Sequence, residues 1–473
     1  MKGHFRTIFV LALVILVTGL GSAQASKLNQ AGIKASSAPS IAYPLERWKT
    51  DYISTYSSAG SDVSLAFDPD HGQAAWISYY NETYSSLWVA HFVSAIGGNC
   101  GPETTWFCEQ VDQAPAEQKG WSTSIDVFPD TNPSPLFSTW KVGISYYDAT
   151  HKSLKYAQYQ CPPLNPCNWT ISTVFSSSDP SDEIGRYSSL KFSSTGIPNI
   201  ALFANWGAYT TDAVYRAYII GSGDGNCGDG LDWQCDKVDQ FGSLGPYLSL
   251  DIDWSDNVYI AYYDGLNDHL KYAYYSGIGD CWLDNGWICQ YIDDTAGVNV
   301  GLFPSLHAPQ DSSDTLRVAY YDATNGKLKY AYARDDNLGN CSPGNNWQCN
   351  TIDDMGVGLT SASISLAVDS NHSPMIAYTD AHEDLAPLGL KVAEPAYGQP
   401  YANCAGEILY DWWCGNLDNG NAYVDDAKFV SLGIKPNGMA MIAYSEQERD
   451  YPGSYDLKFA YQMSWIFLPV IMK

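Results

Sequence analysis

A short phrase, Ile-Ala-Tyr-Tyr-Asp in its fullest form, recurs along this chain of 473 residues. A degenerate copy at Ile200-Ala201-Leu202-Phe203 fills the one gap between six clear copies, which begin at Ile77, Ile144, Ile260, Val318, Ile376 and Ile442. Neighbouring copies start between 56 and 67 residues apart. A repeat of this period indicates one structural unit that packs against further copies of itself.

Each unit contains four short strands, which we call a to d. The phrase is strand b, a Ser-Leu strand such as Ser249-Leu250 precedes it, and a Leu-Lys-Tyr-Ala strand such as 270–273 follows it. A Trp-led strand such as 233–239 comes last. Gly, Pro, Asn and Asp separate the strands, as is typical of turns.

Seven four-stranded units can bury both sheet faces only by stacking, either radially or as an open solenoid. Strand b lacks apolar/polar alternation, which is typical of a strand covered on both faces. The seventh unit has no strand d, whereas the orphan strand Trp48–Ile53 at the chain start has the spacing of one. We therefore predict an all-β, seven-bladed β-propeller of four-stranded antiparallel blades, closed by the N-terminal strand.

The twelve cysteines agree with this division into blades. One follows each strand c and one lies at or near strand d in six blades, while the closing blade has neither. In an exported chain this arrangement predicts disulfides within blades rather than zinc sites, which usually need four ligands. The predicted pairs are Cys100–Cys108, Cys161–Cys167, Cys227–Cys235, Cys281–Cys289, Cys341–Cys349 and Cys404–Cys414.

The ends of the chain predict export. Residues 1–25 combine Lys2 and Arg6 with an apolar stretch and an Ala-Gln-Ala site, which is typical of a signal peptide and too short to favour a membrane anchor. We expect a linker over 26–46, the propeller over 47–463 and a short apolar tail over 464–473. A secreted or extracellular protein is expected, with surface association as an open alternative, no membrane span, and a monomeric state.

The formal charge of -27 excludes nucleic acid and anionic lipid as partners, because the protein would repel both. Many acids fall at strand ends on one face, where the b–c and d–a loops open. Strand d ends in Asp112, Asp239, Asp293, Asp353 and Asp418, and strand b ends in Asn81, Asp148, Asp264, Asp322, Asp380 and Glu446. For Asp148, Asp264, Asp322 and Asp380 two interpretations stay open, namely a calcium site and an Asp that binds its own turn.

The same face carries three enlarged b–c loops. From the strand-b Tyr position to the strand-c Leu position, most copies count eight residues, whereas copies three, six and seven count twelve or thirteen. Insertions on a repeat scaffold often mark the binding face, although neutral loop drift is the alternative. The candidate ligand-binding residues are Trp206, Tyr209, Glu383, Asp384, Glu446, Glu448, Arg449 and Tyr451.

The pattern Ser-Leu-x-x-Asp, Ile-Ala-Tyr-Tyr-Asp, Leu-Lys-Tyr-Ala resembles the repeat of secreted bacterial β-propellers grouped with the sialidase-like superfamily. The resemblance covers nearly all of the chain after residue 25 and implies the fold. Sialidases use an Arg triad, a Tyr–Glu pair and Ser-x-Asp-x-Gly-x-Thr-Trp boxes. This chain has no such box and only six Arg after the signal, so the resemblance does not carry over catalytic residues.

Three functions follow from these observations. The first is a non-catalytic binding module for an extracellular glycan or protein ligand, with no cofactor other than calcium. The second is a glycoside hydrolase or polysaccharide lyase that uses carboxylates of the enlarged loops in blades 6 and 7, although no pair is singled out. The third is a structural or surface-assembly protein.

Overall fold

The computed structural model folds into seven four-stranded antiparallel sheets. The fold, the blade count and the strand directions confirm the prediction from the repeat. The structure describes residues 47–54, 58–69, 74–93, 97–113, 117–129, 141–160, 166–207, 211–221, 223–240, 247–279, 281–283, 285–342, 345–359, 362–380, 389–396, 402–404, 412–418, 425–448 and 454–463, with the side chains of 425–427 and 448 excepted.

Six blades are built from four consecutive strands. Blade 1 holds β2 (Ala59–Asp68), β3 (Ala74–Asn81), β4 (Ser86–Phe92) and β5 (Trp106–Asp112); blade 2 holds β6 (Lys119–Phe128), β7 (Lys141–Asp148), β8 (Ser153–Gln160) and β9 (Asn168–Phe175); blade 3 holds β10 (Glu183–Phe192), β11 (Pro198–Trp206), β12 (Thr211–Ile219) and β13 (Trp233–Asp239). Blade 4 holds β14 (Leu248–Ile252), β15 (Val258–Asp264), β16 (His269–Gly279) and β17 (Gly286–Asp293); blade 5 holds β18 (Val300–His307), β19 (Arg317–Asp322), β20 (Lys327–Ala333) and β21 (Trp347–Asp354); blade 6 holds β22 (Ile364–Val368), β23 (Pro374–Asp380), β24 (Gly389–Pro395) and β25 (Trp412–Asp418). Two 3-10 turns, Pro102–Thr104 and Asp229–Leu231, lie in the c–d loops of blades 1 and 3.

Blade 7 joins the two ends of the described chain. It consists of β26 (Asp425–Ile434), β27 (Ala440–Glu448), β28 (Tyr455–Gln462) and β1 (Trp48–Ser54), and β1 pairs antiparallel with β28. Trp48 lies opposite Gln462 in this register. The orphan N-terminal strand therefore completes the last blade, as the sequence predicts.

The hydrophobic core lies between the blades. Seven buried clusters occur, and each combines residues of two adjacent blades. Strand b of each blade contributes side chains to the clusters on both faces of its sheet, because successive side chains of a strand point to opposite faces. In β7 every residue from Val142 to Asp148 is buried, which explains why the phrase lacks polar alternation.

A ring of seven serine side chains lines the central channel. Each strand-a Ser Oγ accepts a hydrogen bond from a strand-a amide of the next blade, so that one polar contact repeats at every junction. The acceptor–donor pairs are Ser64–Ile125, Ser124–Leu190, Ser189–Leu250, Ser249–Leu306, Ser305–Leu366, Ser365–Leu432 and Ser431–Leu65, at 2.9 to 3.1 Å. The last pair joins blade 7 to blade 1 and closes the ring.

A second contact, which we call the latch, joins strand d of one blade to strands b and c of the next. Tyr262 Oη donates to Asp239 Oδ2 at 2.6 Å, and Lys271 Nζ donates to the same oxygen at 2.5 Å. The same three residue types bind one another at the three following junctions. At the junction of blades 1 and 2 Tyr146 Oη donates to Asp112 Oδ2 at 2.6 Å, whereas Lys155 lies beside Asp148.

Two junctions lack the latch. Between blades 2 and 3 its positions hold Phe175, Leu202 and Tyr215, an apolar replacement of all three groups. Between blades 7 and 1 they hold Ser54, Tyr79 and Trp88, so the Tyr stays while both charged groups are lost together.

Five of the six predicted disulfides are present, in blades 1, 3, 4, 5 and 6. Each links the c–d loop to strand d of its own blade. Cys161 lies outside the described residues, so the pair predicted for blade 2 stays a prediction. No helix among the described residues is long and apolar enough to cross a membrane.

The latch yields a prediction about stability. Although burial opposes it, Lys329 and Tyr320 hold the pKa of Asp293 below its usual value, so this carboxylate is a charged partner of Lys329. We expect Asp293→Ala to lower the free energy of unfolding by about 3–5 kcal/mol, because it leaves a largely buried ammonium without its counter-charge. Urea denaturation monitored by tryptophan fluorescence measures the change.

The matched control replaces the whole latch by the set found between blades 2 and 3, with Asp293→Phe, Tyr320→Leu and Lys329→Tyr in one chain. We expect this triple variant to lose less stability than Asp293→Ala, since no buried charge is left unpaired. A triple variant that is less stable than the single variant would contradict the interpretation.

Candidate functional site

The predicted binding residues on the enlarged loops fall mostly outside the described residues. These are Tyr209, Glu383, Asp384, Arg449 and Tyr451; Glu448 ends β27 and only its backbone is described. Their role in binding stays a prediction.

The two predicted residues whose side chains are described both have partners within the fold. Trp206 ends β11, and its ring lies 6.2 Å from Phe175 and 6.3 Å from Tyr215, in the space that a latch occupies elsewhere. Glu446 is buried and accepts hydrogen bonds from Tyr52 Oη at 2.9 Å and Lys458 Nζ at 3.1 Å. Both side chains therefore contribute to junctions between strands and blades.

The strand-b acids bind groups of their own blades. Asp148 Oδ1 accepts the amides of Thr150 and His151, and Asp264 Oδ1 accepts those of Leu266 and Asn267. Asp322 likewise accepts the Asn325 amide, and Asp380 accepts Lys391 Nζ at 2.8 Å. The contacts of Asp148, Asp264 and Asp322 are those of the turn interpretation, whereas the contact of Asp380 is an ion pair with strand c, and the calcium interpretation stays a prediction.

One cluster of possible metal ligands combines Glu117, Asp148 and His151, whose ligand atoms lie within 4.8 Å of one another. Two ammonium groups already balance its charge. Lys119 Nζ lies 2.6 Å from Glu117 Oε2, and Lys155 Nζ lies 3.6 Å from Asp148 Oδ2. The cluster is therefore an ion-pair network on the b–c side of blade 2.

The central channel opens on this same face through a ring of side chains that we call the mouth. In each blade the mouth residue stands two positions before the channel serine, where strand a begins. The seven residues are Asp62, Ser122, Tyr187, Tyr247, Phe303, Ser363 and Phe429. They line a cavity of about 200 Å3, which is the size of a single sugar unit rather than of a long chain.

Most mouth residues adopt a backbone conformation that is rare for residues other than glycine. The φ angles are 53° at Asp62, 53° at Ser122, 57° at Tyr187, 54° at Phe303 and 47° at Phe429. In each of these blades the register of strand a shifts against strand b beside this residue. A bulge of this kind redirects a side chain, at a cost of about 1–2 kcal/mol per residue, and here it does so at the rim of the channel.

The mouth carries an aromatic arc with a polar pair beside it, and Ser363 and Phe429 complete the ring. Tyr187, Tyr247 and Phe303 come from three consecutive blades, with ring centroids 5.3 Å and 4.2 Å apart along this arc. Asp62 and Ser122 come from blades 1 and 2. An apolar platform beside hydrogen-bonding groups suits a ligand with one apolar and one hydroxylated face.

Asp62 has an unusual ionisation. Burial raises the pKa of its carboxyl to about 6, although the Ser122 amide and the Arg186 charge act in the opposite direction. Asp62 is the only carboxylate among the described residues that line the mouth. The described part of the mouth therefore holds a single carboxyl group, that of Asp62.

The opposite end of the channel is also acidic, but its acids serve the fold. Asp126 Oδ2 accepts the Phe192 amide of the next blade at 2.8 Å, and Asp251 Oδ2 accepts the Ala308 amide at 2.8 Å. These contacts extend the serine ring by one further bond at two junctions.

The sequence contains a signal for the mouth that is separate from the strand-end acids and the enlarged loops. The position two residues before the strand-a Ser holds Asp, Ser, Tyr or Phe in different copies, whereas the Ser recurs in all seven. On a repeat scaffold an unchanging position serves the fold, and a position that varies among copies is free to serve a ligand.

No protein-family model and no curated protein matches this chain. Among solved structures it is similar to the Aleuria aurantia lectin in complex with Fucα1-6GlcNAc, at 11% identity over 77% of this chain and 99% of that one, with a TM-score of 0.43. An alpha-L-arabinofuranosidase from Fusarium graminearum aligns at 10% identity over 88% and 98% of the two chains, with a TM-score of 0.42. The NanB sialidase from Streptococcus pneumoniae aligns at 11% identity over 87% and 69%, with a TM-score of 0.41. At TM-scores this low, the similarity carries no information about the site of this chain.

Asp62 makes stability depend on pH. Because its pKa in the folded protein is raised above the usual 3.8 to about 6, the folded state binds this proton more tightly than the unfolded chain does. Ionised Asp62 therefore lowers stability as the pH rises from about 4 to 6. We expect Asp62→Asn to be more stable than the parent above pH 6, by about 1–2 kcal/mol, and this advantage to shrink towards pH 4.

Asp314→Asn is the control of opposite sign. Although burial opposes it, hydrogen bonding to His307 holds the pKa of Asp314 well below its usual value. Its contribution to stability is present at neutral pH and fades as the pH falls, so this variant should lose stability at pH 7 and less near pH 3. Urea denaturation at pH 3 to 8 compares the two variants. Parallel pH profiles for both would contradict the assignment.

Proposed function

We propose that this chain is an extracellular, non-catalytic carbohydrate-binding propeller whose mouth takes the terminal unit of a glycan. The observation that carries the proposal is the aromatic arc of the mouth beside the polar pair Asp62 and Ser122. Sugar rings have the matching character, because their C–H faces are apolar and their edges carry hydroxyl groups. The five disulfides support an extracellular location, since such bonds persist in oxidising compartments.

The rigidity of the ring supports binding without chemistry. Strand a is fixed at the channel by the serine contacts, so the mouth side chains lose little freedom when a ligand arrives. Tyr187 and Tyr247 supply contact area with few rotatable bonds, and Asp62 can accept hydrogen bonds from sugar hydroxyls when it is ionised. A pKa of about 6 for Asp62 adds a dependence of affinity on pH in the acidic range.

A glycoside hydrolase is the second candidate, supported by one observation in blade 1. Burial raises the pKa of Glu82 to about 7, and the nearby charge of Asp62 acts in the same direction. A carboxyl group that titrates near neutral pH is the usual property of a general acid. Glu82 lies on the b–c turn, where Ser58 Oγ donates to its Oε2 at 3.2 Å.

A glycan array followed by calorimetry on the best binder tests the proposal. We expect Tyr247→Ala to weaken binding about tenfold, which corresponds to the loss of ~1.4 kcal/mol of stacking. Trp254→Ala is the control, because Trp254 is 59% exposed in an a–b loop on the opposite face. The absence of binding to any glycan, or equal losses in both variants, would contradict the proposal.

The same array separates the remaining alternatives. Binding through the mouth alone should survive EDTA, whereas a loss of binding that calcium restores would support the metal site on the strand-b acids. Turnover of a bound glycan that disappears in Glu82→Gln, with binding retained, would establish the hydrolase instead.

A further inference from the structure

The junction of blades 7 and 1 differs from the other six. It keeps the latch tyrosine, Tyr79, but has Ser54 in place of the latch Asp and Trp88 in place of the latch Lys. The junction of blades 2 and 3 also lacks the charged pair, yet Phe175, Trp206 and Tyr215 pack together there. A missing latch is therefore compatible with a filled junction.

Between blades 7 and 1 the space is open. A cavity of about 570 Å3 lies there, bounded by β1, by β3 and β4, and by the disulfide loop of blade 1. Its volume falls within the range of small-ligand pockets, about 300–1,000 Å3. The Gly101 amide donates to the Ile53 carbonyl at 2.8 Å, so the disulfide loop is fixed against β1 and the cavity keeps its shape.

Tyr79 offers an unused hydrogen-bonding group in this cavity. Its side chain is 1% exposed, and among the described residues its Oη has no hydrogen-bond partner, whereas the equivalent hydroxyl donates to an Asp at five other junctions. The hydroxyl lines the cavity. A ligand hydroxyl there could therefore pair with Tyr79, in a bond of about 1 kcal/mol.

The walls of the cavity are aromatic. The Tyr84 and Trp88 rings lie 5.3 Å apart at 30°, and the Tyr79 ring lies 6.5 Å from Trp88. Trp88 is fixed because its Nε1 donates to Ser86 Oγ at 3.0 Å. Tyr84 is 55% exposed, so the aromatic surface continues from the interior to the solvent.

The cavity is nearly free of charge. Asp51 is the only Asp, Glu, Lys, Arg or His among its described lining residues, and its Oδ1 already accepts the Tyr52 amide. Replacement of the latch Asp and Lys removed one charge of each sign. A neutral ligand suits this site, because a charged one would lose its hydration without gaining a partner.

We propose that the cavity between blades 7 and 1 is a second binding site, which takes a neutral pyranose with one face on Trp88 and Tyr84 and a hydroxyl on Tyr79. This site goes beyond the proposed function, since it shares no lining residue with the mouth. A glycan bound at both sites would gain avidity if its units can span them.

The test rebuilds the missing latch. In the variant Ser54→Asp/Trp88→Lys the junction regains the Asp–Tyr–Lys set, which engages Tyr79, removes the Trp88 face and places charged groups in the cavity. The probes are four neutral methyl glycosides (gluco, galacto, manno and fuco), titrated by calorimetry and tryptophan fluorescence. We expect at least one to bind the parent, and the rebuilt latch to weaken this binding more than tenfold with no loss of thermal stability.

Two further variants keep the test decisive if the rebuilt latch fails to fold. Tyr84→Ala alters a mostly exposed side chain, and Tyr79→Phe removes only the hydroxyl; each should weaken binding about fivefold, which corresponds to ~1 kcal/mol. Tyr247→Ala alters the mouth and should weaken only the methyl glycoside binding that Tyr79→Phe leaves intact, so failure of either site is recognised separately.

Three outcomes would overturn the second site. The first is that no methyl glycoside binds saturably, and the second is that binding is unchanged in the rebuilt latch or in Tyr84→Ala. The third is tighter binding of an anionic methyl glucuronide or of N-acetyltryptophanamide than of any neutral glycoside.

Discussion

The contact between a serine of one blade and an amide of the next fixes the geometry of the whole ring. Each of these hydrogen bonds is modest, about 1 kcal/mol, but the same bond occurs at all seven junctions and sets how closely the inner strands approach the axis. The bond from the Leu65 amide to Ser431 joins residues 366 positions apart and exists only when the ring is closed. Strand a is held at the serine, and in five blades a bulge just before it turns the residue two positions earlier into the channel. The mouth thus lies directly beside the contact that closes the propeller.

The latch gives the acids at the ends of strand d a role in the fold without a ligand. Asp239, Asp293, Asp353 and Asp418 each pair with a lysine and a tyrosine of the next blade. Pairs of this kind bring little net stability compared with an apolar junction, and the junction of blades 2 and 3 demonstrates that an apolar set fits the same space. The charged sets add orientation. The Asp contacts its Lys and Tyr only when strand d of one blade and strands b and c of the next are in one register. Junctions whose residues depart from this repeated set are therefore the places where a ligand can bind.

Much of the fold was predictable because its signals are local. The four-strand unit, the seven copies and the pairing of cysteines within a blade all follow from spacings of a few to about sixty residues. The candidate site was predictable only in part. The predicted face is the one on which the mouth opens, yet of the predicted ligand-binding residues Trp206 lies at the junction of blades 2 and 3 and Glu446 binds two other strands of its own blade. Asp62 and Tyr79 were not predicted as site residues, because neither stands in an unusual motif.

The sequence by itself determined the architecture, since period-two strands and a repeated unit leave few ways to bury both faces, and an orphan strand at one end matches a missing strand at the other. Only the tertiary structure decided which polar groups are occupied and which face open space. Asp239 and Asp62 are both acids near the ends of strands, but a lysine of the next blade reaches the first and none reaches the second. That difference depends on contacts between blades, which bring together residues about sixty positions apart. The alternation of residues along a strand predicts the face of the sheet on which a side chain lies. It does not predict which residue of the adjacent blade that side chain contacts.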